Sequence, residues 1–182
     1  MKIALCVGHS RRGDKGAVSC GNVSEWEYNR TVAGFTKTHL ADAGVESVIY
    51  SVYPRSSYGG AINWLSQKLR VDGIDAAVEL HFNSAHPSAH GYEYLHWGTS
   101  TRGKALATSL HAAHHAAMPD QRDRGVKGKG RRDRGSYFLR KTHCPAIIAE
   151  PFFGSNPQEW ANWEDAQERL ARIYAAGIMA WV

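Results

Sequence analysis

Apolar and polar positions alternate along the chain in two different periods. The segment Lys2-Ile3-Ala4-Leu5-Cys6-Val7-Gly8-His9-Ser10 begins with an unbroken apolar run and stops at Gly8-His9. An apolar run without alternation marks a strand buried on both faces. Two more such runs follow. Ala76-Ala77-Val78-Glu79-Leu80 leads into His81, and Ala146-Ile147-Ile148-Ala149 leads into Glu150. Residues 46–53, 91–97 and 137–140 are richer in β-formers than in helix formers and predict further strands.

Between these runs the period lengthens to that of a helix. Val32, Phe35, Thr36, Leu40 and Ala43 predict a helix over residues 23–43. Ser24 or Asn22 would cap it, Asn22 having Glu25 at capping-box spacing, and Gly44 would stop it. Ile62, Leu65 and Leu69 share one face of a helix over 60–71. A third helix covers 100–118 and ends at Pro119. A closing helix over 157–182 carries Leu170, Ile173, Tyr174, Gly177, Ile178 and Trp181 at spacings of three and four. Residues 120–135 are basic and glycine-bearing, too polar to pack. That is long for a connection without structure, which suggests function or motion. Strands alternating with helices predict an α/β fold: a single, mostly parallel sheet with helices on both faces and its ligand site at the carboxyl ends of the strands.

Composition changes this picture little. With 182 residues, 43% hydrophobic and 21% charged, the chain suits a single domain with a sizeable core over residues 1–182. No apolar run approaches the roughly 20 residues of a membrane span. The N-terminus lacks the small-residue cleavage site of a signal peptide, so synthesis in the cytoplasm is expected. The three cysteines, Cys6, Cys20 and Cys144, form neither a disulfide framework nor a thiolate zinc site. The net charge of +5 is concentrated in residues 122–134, through Arg122, Arg124, Lys127, Lys129, Arg131, Arg132 and Arg134. Such a field favours anionic polymers or surfaces, or is simply a solvated loop.

The strand ends carry the chemistry. His9 and His81 terminate two buried strands, and Glu25 sits in the first turn of the helix that follows the first of them. Two imidazoles and a carboxylate are a known protein ligand set for catalytic zinc, with the fourth position left for water. Glu150, ending a third buried strand, is placed to take a proton from water and return it to a leaving nitrogen. Each residue alone is ordinary; Glu25, for instance, also suits a helix first turn.

At this point the sequence resembles a family. Gly8-His9, then Glu25 with Asn29, then Leu80-His81-Phe82-Asn83-Ser84, then Ala149-Glu150-Pro151-Phe152-Phe153-Gly154-Ser155-Asn156 is similar to the zinc-dependent N-acetylmuramoyl-L-alanine amidases of type 3. Among these it looks most like the catalytic domains of phage endolysins. Arg124-Gly125-Val126-Lys127 and Tyr137-Phe138-Leu139-Arg140 share in the resemblance, which spans nearly the whole chain. It implies Zn2+ as cofactor, His9, Glu25 and His81 as its ligands, and Glu150 as the catalytic carboxylate. It also implies hydrolysis of the amide between N-acetylmuramic acid and L-alanine in bacterial peptidoglycan. No separate wall-binding module is expected. The basic segment would then meet an anionic wall or outer-membrane surface, and a release helper such as a holin would open the membrane so that the enzyme reaches the wall.

Other residues stay open between roles. Glu79 either fixes the His81 tautomer or lies in a polar pocket or charge pair. Asn29 either bonds the Glu25 carboxylate, lines the sheet edge or caps a neighbouring loop. Asn83 either contacts substrate or turns the loop, and Glu93 either lines the cleft or pairs with a charge. His111 and His115 have metal-site spacing but sit on a helix expected to cover a sheet face, and His86, His90, His96 and His143 are expected in or near loops. Trp26, Trp160 and Trp163 default to core packing, with Trp26 alternatively facing substrate. Three rival functions remain at this stage: a zinc peptidase cutting within the stem peptide, a basic nucleic-acid-binding protein, and a metal-free adhesive wall module. The second is disfavoured because no nucleic-acid-binding signature is present, so no nucleic-acid partner is expected.

Overall fold

The computed structural model describes residues 1–9, 14–54 and 57–182. Part of the loop expected after His9, together with Arg55, lies outside the described residues. Six strands form one sheet: β1 (Lys2–Val7), β2 (Glu46–Tyr50), β3 (Ala76–Leu80), β4 (Tyr92–Trp97), β5 (Asp123–Lys129) and β6 (Ala146–Glu150). Their order across the sheet is β2-β1-β3-β6-β4-β5. The first four run parallel, as expected for apolar strands linked by helices. β4 runs antiparallel to β6, and β5 runs parallel to β4.

Helices cover both faces. On one side α1 (Glu25–Asp42), α3 (Thr101–Ala117) and α6 (Gln167–Trp181) pack on Ile3, Leu5, Val7, Val78, Leu80, Ile147 and Ala149. On the other, α2 (Tyr58–Val71) and the short α4 (Ser136–Lys141) pack on Ala4, Cys6, Ala77, Leu95 and Ile148. The alternation of side chains along a strand therefore assigns each residue to a layer. Glu79, Glu150 and Glu93 belong to the α2/α4 face.

Four sequence expectations are corrected. Residues 137–140 form helix α4, not a strand; its start is set by Gly135 in the left-handed region, and Phe138 and Leu139 are buried under the sheet. The polar connection 120–135 contains β5, an edge strand that needs backbone pairing rather than an apolar face. The closing helix is two, α5 (Pro157–Trp163) and α6, with a break at Glu164–Ala166. The α1 capping box is Ser24 with Glu27, not Asn22 with Glu25. Asn22 takes a positive φ of 62° instead, and the Glu25 side chain is left free for other work.

Candidate active site

Three element ends converge at the carboxyl edge. β1 runs out at Val7, and Gly8 N–H bonds the Leu80 carbonyl at 2.9 Å, which keeps β1 and β3 in register to their tips. The His81 ring then crosses over the β1 backbone. A Cβ on Gly8 would lie 2.3 Å from His81 Cε1, so only glycine leaves the ring its place. His9 follows with φ at 66°, rare for a residue with a side chain and costing about 1–2 kcal/mol.

Glu25 is the first residue of α1 and is buried. Its Oε2 accepts from Ala17 N–H at 3.0 Å and its Oε1 from Phe82 N–H at 3.2 Å. Both oxygens also face an imidazole: His9 Nε2 lies 3.3 Å from Oε2, and His81 Nδ1 2.6 Å from Oε1. The two rings stand edge to face, with centroids 5.1 Å apart. One ligand atom from each of His9, Glu25 and His81 lies within 4.8 Å of the others.

The nitrogens that face away from this centre also meet carboxylates. His9 Nδ1 is 3.1 Å from Asp14 Oδ2, and His81 Nε2 is 3.4 Å from Glu79 Oε2. Carboxylates on the outer nitrogens set which nitrogen is bare and raise the basicity of an imidazole ligand. Two such imidazoles and one carboxylate fit zinc in donor type and number, leaving one position open. The cradle fits as well. Gly16 closes it at φ 78°, where a Cβ would lie 2.5 Å from His9 Cδ2 and 2.6 Å from Glu25 Oε2. Burial would raise the Glu25 carboxyl, but His81 and His9 bring it down to about 2. Burial would lower both imidazoles, and Glu25 raises them instead.

Glu150 ends β6 beside His81, whose N–H bonds the Ala149 carbonyl at 3.1 Å. Its Oε2 is enclosed and has no hydrogen-bond partner among the described residues. Burial pushes this carboxyl up to about 8; His81 counteracts that, while Glu25, Glu93 and Glu79 add to it. The turn after Glu150 is held from several sides. Phe152 stacks on Trp163 and Phe82, with Tyr28 edge-on. Glu159 accepts from the backbone of Phe153 at 2.7 Å and of Gly91 at 2.9 Å. Gln121 donates to the Pro151 carbonyl at 2.8 Å and to Glu159 at 3.0 Å. His114 Nε2 in turn meets the Gln121 side-chain oxygen, and Tyr94 OH meets His114 Nδ1.

The profile of the N-acetylmuramoyl-L-alanine amidase family matches residues 3–180. The chain belongs to this family. A sequence search of curated proteins found no significant match. The amidase is similar in structure to the catalytic domain of CwlV, an N-acetylmuramoyl-L-alanine amidase from Bacillus (Paenibacillus) polymyxa var. colistinus, with a TM-score of 0.80 and 25% identity over 100% of this chain and 98% of that one. The catalytic domain of the CD27L endolysin targeting Clostridia difficile aligns at TM-score 0.83 and 23% identity, covering 99% and 97% of the two chains. The amidase AmiC2 of Nostoc punctiforme aligns at 0.82 and 21%, covering 100% and 96%. The enzyme class and the single-sheet fold expected from the sequence both stand.

In this amidase the remaining candidates have definite places. Asn29 is fully buried and donates to the backbone carbonyl of Glu25 at 3.1 Å; no hydrogen bond joins it to the carboxylate. Asn83 Nδ2 meets Glu93 Oε1 at 3.2 Å. Glu93, buried opposite Glu150, also accepts from Arg124 Nε at 2.8 Å and Lys127 Nζ at 2.5 Å. Trp26, Trp160 and Trp163 are buried. His111 meets Asp123, His115 meets Tyr92 OH, and His96 lies buried near the end of β4, within the strand expected over 91–97. Sequence reasoning missed Asp14. Its only signal is a carboxylate a few residues after the first histidine, in a glycine-bearing loop.

Proposed function

We propose that the chain is a zinc-dependent peptidoglycan amidase in which His9, Glu25 and His81 hold the metal and Glu150 moves the proton. The convergence of three ligand atoms within 4.8 Å carries this reading, with Glu150 on the adjoining strand end. Bound there, zinc supplies Lewis acidity toward a carbonyl oxygen and acidifies water. The chain's own residues do the rest. Ala17 and Phe82 N–H groups fix the Glu25 carboxylate, and Asp14 and Glu79 aim the two imidazoles. Glu150 has an enclosed oxygen without a partner and a carboxyl pushed up to about 8, so it readily accepts a proton. A bound dication would oppose this rise and favour the ionised carboxylate that can act as general base. The carboxyl then protonates the departing L-alanine nitrogen.

Likeness to an endolysin catalytic domain supports a role in host lysis, reached once a partner such as a holin opens the membrane. The cations at Arg131, Arg132 and Arg134 are exposed and would favour an anionic wall or outer-membrane surface. Replacing these three by Gln should weaken wall binding and flatten its salt dependence; unchanged binding would remove the patch from the proposal. The central test is mass spectrometry of digested peptidoglycan with zinc-loaded wild type and Glu150→Ala. New L-alanine amines on intact glycan chains are expected from wild type alone. Equal release by both proteins would sink the mechanism.

A further inference from the structure

A second built cluster lies on the same sheet face as Glu150, beyond it from the proposed metal centre. β4 sets Glu93 directly opposite Glu150. Beyond β4, β5 breaks register: Tyr92 pairs with Asp123 but Tyr94 with Val126, so Arg124 and Gly125 together oppose Glu93. This is a β-bulge, with Gly125 at φ 83°. Residues three apart on a regular strand face opposite sides. The bulge cancels that alternation and brings both Arg124 and Lys127 to Glu93.

Two cations on one carboxylate leave a net positive charge. Arg124 is also fixed in plane. Its Nε is held by Glu93, and its guanidinium lies 4.9 Å from the centre of the Phe153 ring. Its Nη groups have no partner among the described residues, and the side chain is 28% exposed, that of Lys127 40%. A guanidinium held by its inner nitrogen, with its outer edge free, suits a planar carboxylate. From Glu150 to β5 is two strand spacings, roughly 10 Å. At about 3.5 Å per residue, two residues beyond a scissile bond at Glu150 span about 7 Å and bring a peptide most of that way.

We propose that Arg124 and Lys127, aligned by Glu93, form a subsite for a free carboxylate of the stem peptide two residues beyond the scissile amide. This rests on the amidase reading given above. The enzyme therefore discriminates stem peptides by whether that carboxylate is free or amidated.

The test compares N-acetylmuramoyl-L-alanyl-γ-D-glutamyl peptide carrying a free α-carboxylate with its α-carboxamide. Zinc-loaded wild type should favour the acid in kcat/KM by about tenfold, as for one charge-assisted contact. In Arg124→Gln the ratio should fall to about one, through KM, and Lys127→Gln should shift it the same way. Partial misfolding lowers both rates equally and leaves the ratio intact. A wild-type ratio of one, or an unchanged ratio in Arg124→Gln, overturns the subsite. If wild type cuts neither substrate, the amidase reading fails instead. Calorimetry with L-alanyl-γ-D-glutamate and its amide then tests the subsite alone: tighter binding of the acid, lost in Arg124→Gln, supports it, and equal binding overturns it.

Discussion

The network behind Glu150 makes a quantitative prediction about acid stability. Gln121 spends its amide donors on the Pro151 carbonyl and Glu159, so its oxygen must accept. His114 therefore carries its proton on Nε2, and the bare Nδ1 accepts from Tyr94 OH. The ring is fully buried and stacked face to face on Tyr92, with centroids 4.1 Å apart. A second proton would meet only the Tyr94 hydroxyl oxygen, with no carboxylate among the described residues in contact to balance its charge. Burial holds the imidazole down to about 4, against an ordinary value of 6.5. Because the folded value is the lower one, the unfolded chain binds the extra proton first. The stability involved is fully present above pH 6.5 and is lost as pH falls toward 4. Full titration is worth about 3.4 kcal/mol, of which about 2.5 kcal/mol is realised at pH 4.5. Other carboxylates and histidines titrate over the same range, so the measurement must be a difference. Urea unfolding of wild type and His114→Gln at pH 7.5 and 4.5 supplies it, since Gln keeps a polar group but does not titrate. The variant should be weaker at pH 7.5, and the gap should narrow by about 2.5 kcal/mol at pH 4.5. A gap that stays constant within error would mean that His114 is not held neutral by burial.

Three further outcomes are expected. Glu150→Gln should lower the rate of amide hydrolysis by about 10²–10⁴-fold while zinc content by elemental analysis stays at the wild-type level; loss of metal would mean that Glu150 belongs to the ligand set. Asp14→Asn should weaken zinc binding about 10–100-fold in a chelator competition, because it releases the outer nitrogen of His9. Phe152→Ala should cost about 3–5 kcal/mol in urea unfolding, since the ring is wholly buried between Trp163 and Phe82.

What the sequence made legible follows from where the free energy lies. β1, β3 and β6 are buried on both faces, so their apolar runs are the direct imprint of their environment. The residue that ends each run could therefore be read as a site residue. β5 leaves no such imprint. Asp123-Arg124-Gly125-Val126-Lys127-Gly128-Lys129 buries little and is held by pairing with β4, which no local pattern encodes. The α4 segment has a β-like composition, and tertiary packing of Phe138 and Leu139 overrides it. Neither glycine nor proline marks the break between α5 and α6. The part played by Asp14 depends on the left-handed turn at His9, a conformation that a histidine does not announce.

The reversal of β4 has a consequence for how such a site diversifies. Parallel strands bring their carboxyl ends to the working edge, so β1, β3 and β6 deliver the two proposed histidine ligands and Glu150 on one connected frame, with Glu25 added from the start of α1. β4 runs the other way and brings its amino end to that edge. The segment feeding it, residues 85–91, thus borders the working edge, and it is tied to the turn after Glu150 through Gly91 N–H on Glu159 and Ala85 N–H on Ser155. Changes between those two anchors can reshape the rim of the working edge while the hydrolytic half stays in register. One antiparallel strand separates the part of the enzyme that must be conserved in shape from the part that can follow a changing wall.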